Sequence, residues 1–237
     1  MDWDEERLLS LEVDANYGLA PNSGGLPALL KDPTVLAVCA WSPRARLLAL
    51  GSGIAHRARM NGWDQAYSPG RPPDPLVRLA ESLDDQAVSV EGGPCFVFPP
   101  HLAAPDPAPL PLIVSTADGK MAAQELVRPD NWQPGEWSEL INGRFGEWAM
   151  AVYDNQPVSI CHTPASNSTA AEAGIWTRAD FRGRGLAPAV VAAWSQRECR
   201  NKDVLFYSTT ATNHASQSVA RSLRLIPLGW LWTARWS

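Results

Sequence analysis

The sequence lacks the features that usually identify three large classes of protein. Its 237 residues carry a formal net charge of -5, so it has no broad basic surface of the kind that binds nucleic acid. The first residues, MDWDEERLL, place acids where a signal peptide needs positive charge, and no apolar run approaches the roughly 18 residues of a membrane span. We therefore expect a cytoplasmic protein with neither nucleic acid nor a membrane as partner.

Cysteine is scarce and widely spaced. Cys39, Cys95, Cys161 and Cys199 form no C-x-x-C pair, and no histidine stands near them at metal-ligand spacing. The pattern indicates neither a zinc site nor a disulfide framework. We expect reduced thiols and no metal cofactor.

Proline is concentrated between Pro99 and Pro111, where PPHLAAPDPAPLP can continue neither a helix nor a central strand. This connector predicts a boundary between an N-terminal α/β region, residues 1–105, and a second domain, residues 106–237. In the first region VLAVCAW predicts a strand, LLALGSG a strand or helix, PLVRLAESL a short helix and CFVF a buried strand. No motif in that region can be attached to chemistry.

The second region alternates predicted strands and helices. The patterns predict a strand (LPLIVST), a helix (KMAAQELV), a short helix broken at Pro134 and Gly135, and a hairpin of EWAMAVYD and PVSICH. A polar loop, TPASNSTAA, then precedes the strand EAGIWT. An amphipathic helix begins at Leu186, VLFYSTTA is the next strand, and Asn213 caps the helix NHASQSVARSL. With one or two closing strands in the tail, the fold class is α/β with a mixed sheet.

One turn, Arg182 to Ala187 (RGRGLA), carries the clearest chemical signal. It lies between a strand and a helix, where unpaired N–H groups and the positive end of the helix dipole converge. Gly183 and Gly185 remove side chains that would hold a diphosphate off the backbone, and the arginines add positive charge. Alone, the hexapeptide is equally compatible with a flexible basic turn. A Walker A loop and a G-x-S-x-G elbow are absent, and Pro188 breaks the dinucleotide fingerprint.

The same turn resembles the R/Q-x-x-G-x-G/A signature of the GNAT superfamily, the acyl-CoA-dependent N-acyltransferases, with Arg182, Gly185 and Ala187 in the signature positions. The resemblance spans roughly Leu110 to Trp236. It implies a GNAT-like fold in the C-terminal half, with a V-shaped gap between two parallel strands for the pantetheine arm of acetyl-CoA or another acyl-CoA. The contacting residues that it implies are Ile175, Trp176, Thr177, Arg182, Gly183, Arg184, Gly185, Leu186, Ala187, Asn213 and Ser216.

By the same resemblance, the reaction is direct transfer of an acetyl group to a primary amine of a small molecule or amino acid. Glu172 is the expected base, although it is one position out of register with Thr177 unless a bulge in its strand restores it. His162 is a second candidate base, since an unperturbed histidine has a pKa of about 6.5. We expect Cys161 to be a buried structural residue rather than a nucleophile.

Two positions depart from the family pattern. Ala220 stands where many members have a Tyr that acts as general acid, so either Ser216, Tyr207 or water protonates the leaving thiolate, or the thiolate leaves unassisted. Arg224 stands where the family usually has Gly, so that turn lacks a glycine's freedom in φ. A second hypothesis is therefore a non-catalytic acyl-CoA sensor or partner-binding module. The N-terminal region is left with three roles: a substrate-specificity domain, a degenerate second GNAT-like half, or the surface of a homodimer.

Overall fold

The computed structural model describes residues 4–20, 28–54, 65–83, 88–102 and 108–236. Within these ranges it has six α-helices and ten β-strands in a mixed α/β arrangement, which confirms the predicted fold class. The helices are α1 Glu5–Tyr17, α2 Asp74–Glu81, α3 Ala117–Gln124, α4 Pro134–Ile141, α5 Leu186–Glu198 and α6 His214–Ser222. The strands are β1 Ala28–Leu30, β2 Val35–Trp41, β3 Arg46–Gly51, β4 Val88–Val97, β5 Leu112–Val114, β6 Trp148–Tyr153, β7 Gln156–Ser166, β8 Ala170–Thr177, β9 Val204–Ser208 and β10 Ile226–Trp236. Of the helices so described, none combines the length and apolarity that a bilayer crossing requires.

The chain forms two compact units, and both are discontinuous in sequence. The first consists of Met1–Phe96, Ser208–Gln217 and Pro227–Ser237, and the second of Val97–Tyr207 and Ser218–Ile226. Long-range pairing accounts for this, because β10 at the end of the chain pairs antiparallel with β2, Trp230 lying opposite Trp41. The predicted boundary at residues 105 and 106 lies outside the described residues and stays a prediction.

The sheet of the first unit has the strand order β1-β3-β2-β10-β4. β1 and β3 are parallel, whereas β2 is antiparallel to both of its neighbours. Leu76 and Leu79 of α2 pack against β2 and β10 in an apolar core that includes Trp41 and Trp232. α1, which the sequence did not predict, packs on β2 and β3 and is capped by the Asp4 side chain.

The sheet of the second unit has the order β9-β8-β7-β6-β5, with β8 and β9 parallel and the other neighbours antiparallel. Trp137 and Leu140 of α4 pack against Met150 and Ile160, so α4 covers the face of the sheet on which these two side chains lie. α5 packs on β5 to β8 from the other face, where Trp194 meets Thr163.

Most predicted elements of this unit are confirmed, and two are corrected. α4 begins at Pro134 instead of being broken there, because the first helical turn needs no N–H from proline. β7 continues through the predicted polar loop to Ser166, with a register shift between His162 and Ala165. The tail forms one strand, β10, which agrees with the prediction of one or two closing strands. The hairpin between β6 and β7 turns at Asp154 and Asn155, whose φ angles of 48° and 58° are those of a type I′ turn.

Candidate active site

A gap opens between the two parallel strands of the second unit. β8 pairs with β9 only over Ala170–Glu172, opposite Val204–Phe206. β8 continues to Thr177 and keeps its antiparallel pairing with β7 over this length. Beyond Glu172, its other edge therefore has no strand partner in the part of the chain that the structure describes. The implied gap between parallel strands is present.

The backbone of β8 alternates between β7 and this open edge. The N–H of Arg178 donates to the carbonyl of Val158 at 2.9 Å, which fixes the phase of the antiparallel ladder. Hydrogen-bonded pairs alternate along such a ladder, so Trp176 directs its backbone groups to β7, while Ile175 and Thr177 direct theirs to the gap. The carbonyl of Thr177 accepts a hydrogen bond from Arg182 Nε at 3.2 Å. Two of the three residues predicted on β8 thus present backbone groups to the gap.

Trp176, the third, lies elsewhere. Its side chain packs with the apolar cluster between α4 and the sheet. Its backbone pairs with β7, opposite Ile160. The structure therefore does not support a backbone contact between Trp176 and the pantetheine arm. The Trp176 side chain lies on the face of the sheet that α4 covers.

The glycine turn connects β8 to α5. A short 3₁₀ turn, Ala179–Phe181, is followed by the predicted residues up to Gly185, and α5 begins at Leu186, whose side chain is buried. Gly183 and Gly185 have φ angles of 75° and 74°, in the left-handed region that favours glycine. The backbone conformation thus favours glycine at both positions, independently of any ligand.

The turn also leaves hydrogen-bond donors available. Gly185 precedes α5 without a side-chain cap, and the N–H groups of Gly183, Arg184 and Gly185 have no acceptor among the described residues. These residues are exposed, and a Cβ added at Gly183 would meet no atom within 4 Å. Exposed N–H groups at the positive end of a helix are what an anion needs, so the residues present fit the diphosphate of an acyl-CoA.

Arginines around the turn are held by one aromatic ring that sequence reasoning missed. The guanidinium groups of Arg178 and Arg184 lie 4.4 and 4.7 Å from the ring centre of Phe181, which is buried. Arg178 also pairs with Asp180 at 2.8 Å, and this hydrogen bond lowers the pKa of the Asp180 carboxyl. The signal in the sequence was an aromatic residue flanked by arginines three positions away on each side.

Glu172 lies where β8 and β9 separate, and its side chain is only 4% exposed. It is opposite Ala165 of β7, and the extra residue of the bulge between these strands belongs to β7. The bulge expected in β8 is therefore in its neighbour and does not change the face of Glu172. Because alternate residues share a face, Glu172 lies on the same face as Gly174 and Trp176, the one that α4 covers.

His162 occupies a different environment from the one expected. Its ring lies against Gly174, with Cε1 2.8 Å from the position that a Cβ there would occupy. Burial lowers the pKa of His162 from 6.5 to about 4, although a backbone hydrogen bond at Gly174 opposes the shift. With this pKa the imidazole is uncharged and a weak base at neutral pH, which disfavours it as the base, and its catalytic role stays a prediction. Cys161 is buried as expected, and burial together with the charges of Glu172 and Glu198 raises the pKa of its thiol.

Asn213 and Ser216 lie in the first compact unit, at the start of α6. Asn213 Oδ1 accepts a hydrogen bond from the N–H of Ser216 at 3.0 Å, which confirms the predicted cap. Their contacts with a cofactor stay predictions.

Ala220 is fully buried, and Arg224 itself adopts the left-handed conformation, with a φ of 53°. The turn after α6 thus keeps the backbone geometry of a glycine without having one.

A buried polar network holds the C-terminal end of α5. Glu198 accepts the N–H of Glu147 at 2.8 Å and the hydroxyl of Thr163 at 3.1 Å, and Thr163 also accepts the indole N–H of Trp194 at 3.0 Å. Arg197 pairs with Glu147 at 3.2 Å. Burial alone would raise the pKa of Glu147, but hydrogen bonds from Ser115 and Arg197 outweigh it and lower that pKa. The helix that begins at the glycine turn is therefore fixed from its far end.

Comparison with known proteins gives a family match for part of the chain. Residues 138–225 match the family model described as GNAT acetyltransferase. No curated protein sequence matches the chain. A solved GCN5-related N-acetyltransferase from Kribbella flavida is 12% identical, with a TM-score of 0.52 over 100% of this chain and 96% of that one. A GCN5-related N-acetyltransferase-like protein from Streptococcus suis is 17% identical, with a TM-score of 0.46 over 70% and 69% of the two chains.

At such identities the Kribbella structure supports the fold alone. The family model goes further, because its match runs from within α4 to the end of the turn after α6 and so contains β8, the gap and the glycine turn. Residues 138–225 thus match the GNAT acetyltransferase family, in agreement with the resemblance carried by the glycine turn.

Proposed function

We propose that this protein is an N-acetyltransferase that transfers the acetyl group of acetyl-CoA to a primary amine of a small molecule or amino acid. The observation that carries the proposal is the continuity between the open edge of β8 and the glycine turn, joined by the hydrogen bond from Arg182 to Thr177. The N–H groups of Gly183, Arg184 and Gly185 would hold the diphosphate, and the edge of β8 would receive the pantetheine arm. When bound, acyl-CoA supplies an acyl group activated as a thioester.

Glu172 is the residue to which we assign the base. An ammonium must lose a proton before its nitrogen can attack, and the Glu172 carboxylate lies where the two parallel strands separate. His162 is less suitable, since a pKa of about 4 makes it a weak base. An N–H of Ile175 or Thr177 on the gap edge would stabilise the negative charge that develops on the acyl oxygen.

The remaining proton goes to the departing sulfur. As the new C–N bond forms and the C–S bond breaks, the thiolate takes a proton from Ser216, Tyr207 or water, and the second proton that the acylated nitrogen loses restores this donor. A thiol pKa of about 8.5 makes this a modest requirement. The cytoplasmic location and the homodimer stay predictions from the sequence.

The test is release of CoA from acetyl-CoA in the presence of a panel of primary amines. In Glu172→Gln we expect kcat to fall by about 10²- to 10⁴-fold, the usual contribution of a general base. The dissociation constant of acetyl-CoA, measured by calorimetry, should stay within about twofold, because Glu172 does not belong to the turn. Glu125→Gln, an exposed glutamate at the end of α3, is the matched control and should leave both quantities unchanged.

Ala220 favours the second candidate function, a non-catalytic acyl-CoA sensor or partner-binding module, because a buried methyl group stands where the family's Tyr would be. A folded wild type that binds acetyl-CoA but releases no CoA above hydrolysis with any amine would support the sensor and contradict the acetyltransferase.

A further inference from the structure

Three aromatic nitrogens without partners lie together on the α4 face of the second unit. Nε1 of Trp132, Nε1 of Trp148 and Nδ1 of His162 are buried, and none has a hydrogen-bond partner among the described residues. The rings of Trp132 and His162 meet edge to face with centroids 5.2 Å apart. Trp148 lies directly opposite His162 in the β6–β7 ladder, where facing side chains are neighbours. We call these three residues the indole–imidazole cluster.

The unpartnered nitrogens of this cluster leave hydrogen-bonding capacity unused. Buried polar atoms in proteins are nearly always hydrogen-bonded. Trp194, a fully buried tryptophan on the other face of the same sheet, follows that rule and donates to Thr163 at 3.0 Å. Trp41 and Trp232 of the first unit also have an indole nitrogen without a partner among the described residues, but in the second unit such aromatic nitrogens lie together on α4's side of the sheet. An external group with suitable atoms would satisfy them.

The cluster is close to the assigned base. His162 lies opposite Gly174, and the ring occupies space that any side chain at Gly174 would fill. Gly174 is two residues from Glu172 on β8, a separation of about 7 Å along a strand, and both lie on the same face. A substrate whose amine reached Glu172 could thus extend toward the cluster.

The cluster's chemistry restricts what it can bind. An indole N–H only donates, whereas an imidazole nitrogen donates or accepts according to its tautomer. His162 is uncharged near neutral pH because burial lowers its pKa to about 4. A carboxylate placed among these groups would meet no opposite charge from them, and burying an unpaired charge is costly. An uncharged oxygen that accepts hydrogen bonds is the better ligand.

We propose that the indole–imidazole cluster binds an uncharged carbonyl oxygen of the amine substrate, so that the protein acts on amines that carry a carboxamide or peptide group. The inference rests on the proposed function, since the acetylated amine is the one that Glu172 deprotonates. It names the substrate class, which the sequence did not indicate.

Turnover of matched amines tests this substrate class. The set is 5-aminopentanamide, hexylamine and 5-aminopentanoate, each with homologues one and two methylenes shorter or longer. At the best length, we expect kcat/KM for the amide to exceed that of the other two about tenfold or more, as one or more added hydrogen bonds would give. Trp132→Phe, which removes only the indole N–H and part of the ring, should reduce this preference several-fold. Trp137→Phe is the matched control and should retain it, because Trp137 Nε1 is not among the partnerless nitrogens.

A second measurement detects binding without turnover. In CoA-loaded protein with 15N-labelled tryptophan, 5-aminopentanamide should shift the indole N–H signals of Trp132 and Trp148, and hexylamine should not. Trp132→Phe and Trp148→Phe assign the signals, and if Trp148→Phe does not fold, the Trp132 signal decides.

The outcomes separate the two proposals. Equal turnover of amide and alkylamine, with no shift of the indole signals, would overturn the inference and leave the acetyltransferase standing. Shifted indole signals without turnover of any amine would support the cluster as a binding site and contradict the acetyltransferase.

Discussion

The two ends of α5 are built in opposite ways. At the N-terminal end, Gly185 provides no side-chain cap, and the turn before it is exposed with N–H groups that have no acceptor among the described residues. At the C-terminal end, Glu198 is 2% exposed and accepts hydrogen bonds from Glu147 and Thr163. At its C-terminal end the helix is hydrogen-bonded within the protein, whereas at its N-terminal end backbone N–H groups are available to a ligand.

The difference shows how an anion site can be rigid without using its own donors. Trp194 and Arg197 attach α5 to Thr163 and Glu147, which belong to or adjoin β7 and β6. Because α5 is held from that end and along its packed face, the direction of its first N–H groups is set before any ligand arrives. Preorganised donors of this kind reduce the cost of binding.

The largest expected effect is at the N-terminal end. Gly185→Asp should weaken acetyl-CoA binding about 100-fold or more, because it places a negative charge and a side chain where the diphosphate would lie. The fold should survive, since Asp tolerates the left-handed conformation that Gly185 adopts, and the nearest neighbour of an added Cβ is Pro109 at 3.6 Å. Calorimetric titration of acetyl-CoA measures the change.

Gly135→Asp is the control for added charge. Gly135 lies in the first turn of α4, and an added Cβ there would meet nothing within 4 Å. This variant should bind acetyl-CoA like the wild type. Undiminished affinity in Gly185→Asp would remove the main support for the cofactor site.

At the C-terminal end, we expect a loss of stability instead of binding. Glu198→Ala leaves the Glu147 N–H without its acceptor and removes the shorter of the two hydrogen bonds open to the Thr163 hydroxyl, and should lower the free energy of unfolding by about 2 to 4 kcal/mol. Urea denaturation measures this change. Glu198→Gln keeps one accepting oxygen and should lose less.

The affinity of the folded variant for acetyl-CoA distinguishes the two ends. It should change by no more than a few-fold in Glu198→Ala, measured well below the unfolding transition. Glu125→Ala, at an exposed position, should alter neither property. If Glu198→Ala instead abolished binding while the protein stayed folded, the two ends of α5 would not be separable.

The glycine turn before α5 could be predicted from the sequence, whereas the hydrogen-bond network at the C-terminal end of α5 could not, for a physical reason. The glycine turn is local: six consecutive residues contain its conformation, its charge and its place before a helix. The network at Glu198 is assembled from Ser115, Glu147 and Thr163, which are 35 to 83 positions away and lie on separate elements. Polar residues brought together only by the fold leave no pattern along the chain.

The same distinction explains which elements were predicted. β2, α5 and β9 have clear apolar patterns and were predicted from them. α1 was missed because Glu12 occupies a buried position on it and interrupts the apolar pattern. The extension of β7 was missed because Pro164, which cannot donate to a ladder, lies at its register shift, and only pairing with β8 makes the segment a strand.

The smallest effect separates two reasons for having glycine at a turn. Arg224 adopts a φ of 53° after α6, in a turn closed by hydrogen bonds from its own N–H to Arg221 and from Leu225 to Ala220. Arg224→Gly should raise the free energy of unfolding by about 1 kcal/mol, because glycine adopts this conformation without strain.

Gly185→Ala imposes the same kind of strain at the start of α5, so it should lower the free energy of unfolding by a similar amount. Only Gly185→Ala should also weaken acetyl-CoA binding, because only there would the added methyl group stand before a ligand. If the loss of affinity in Gly185→Ala were no larger than in a variant such as Gly143→Ala, where φ is 77° and the turn lies outside the site, conformation alone would explain the glycines of the turn.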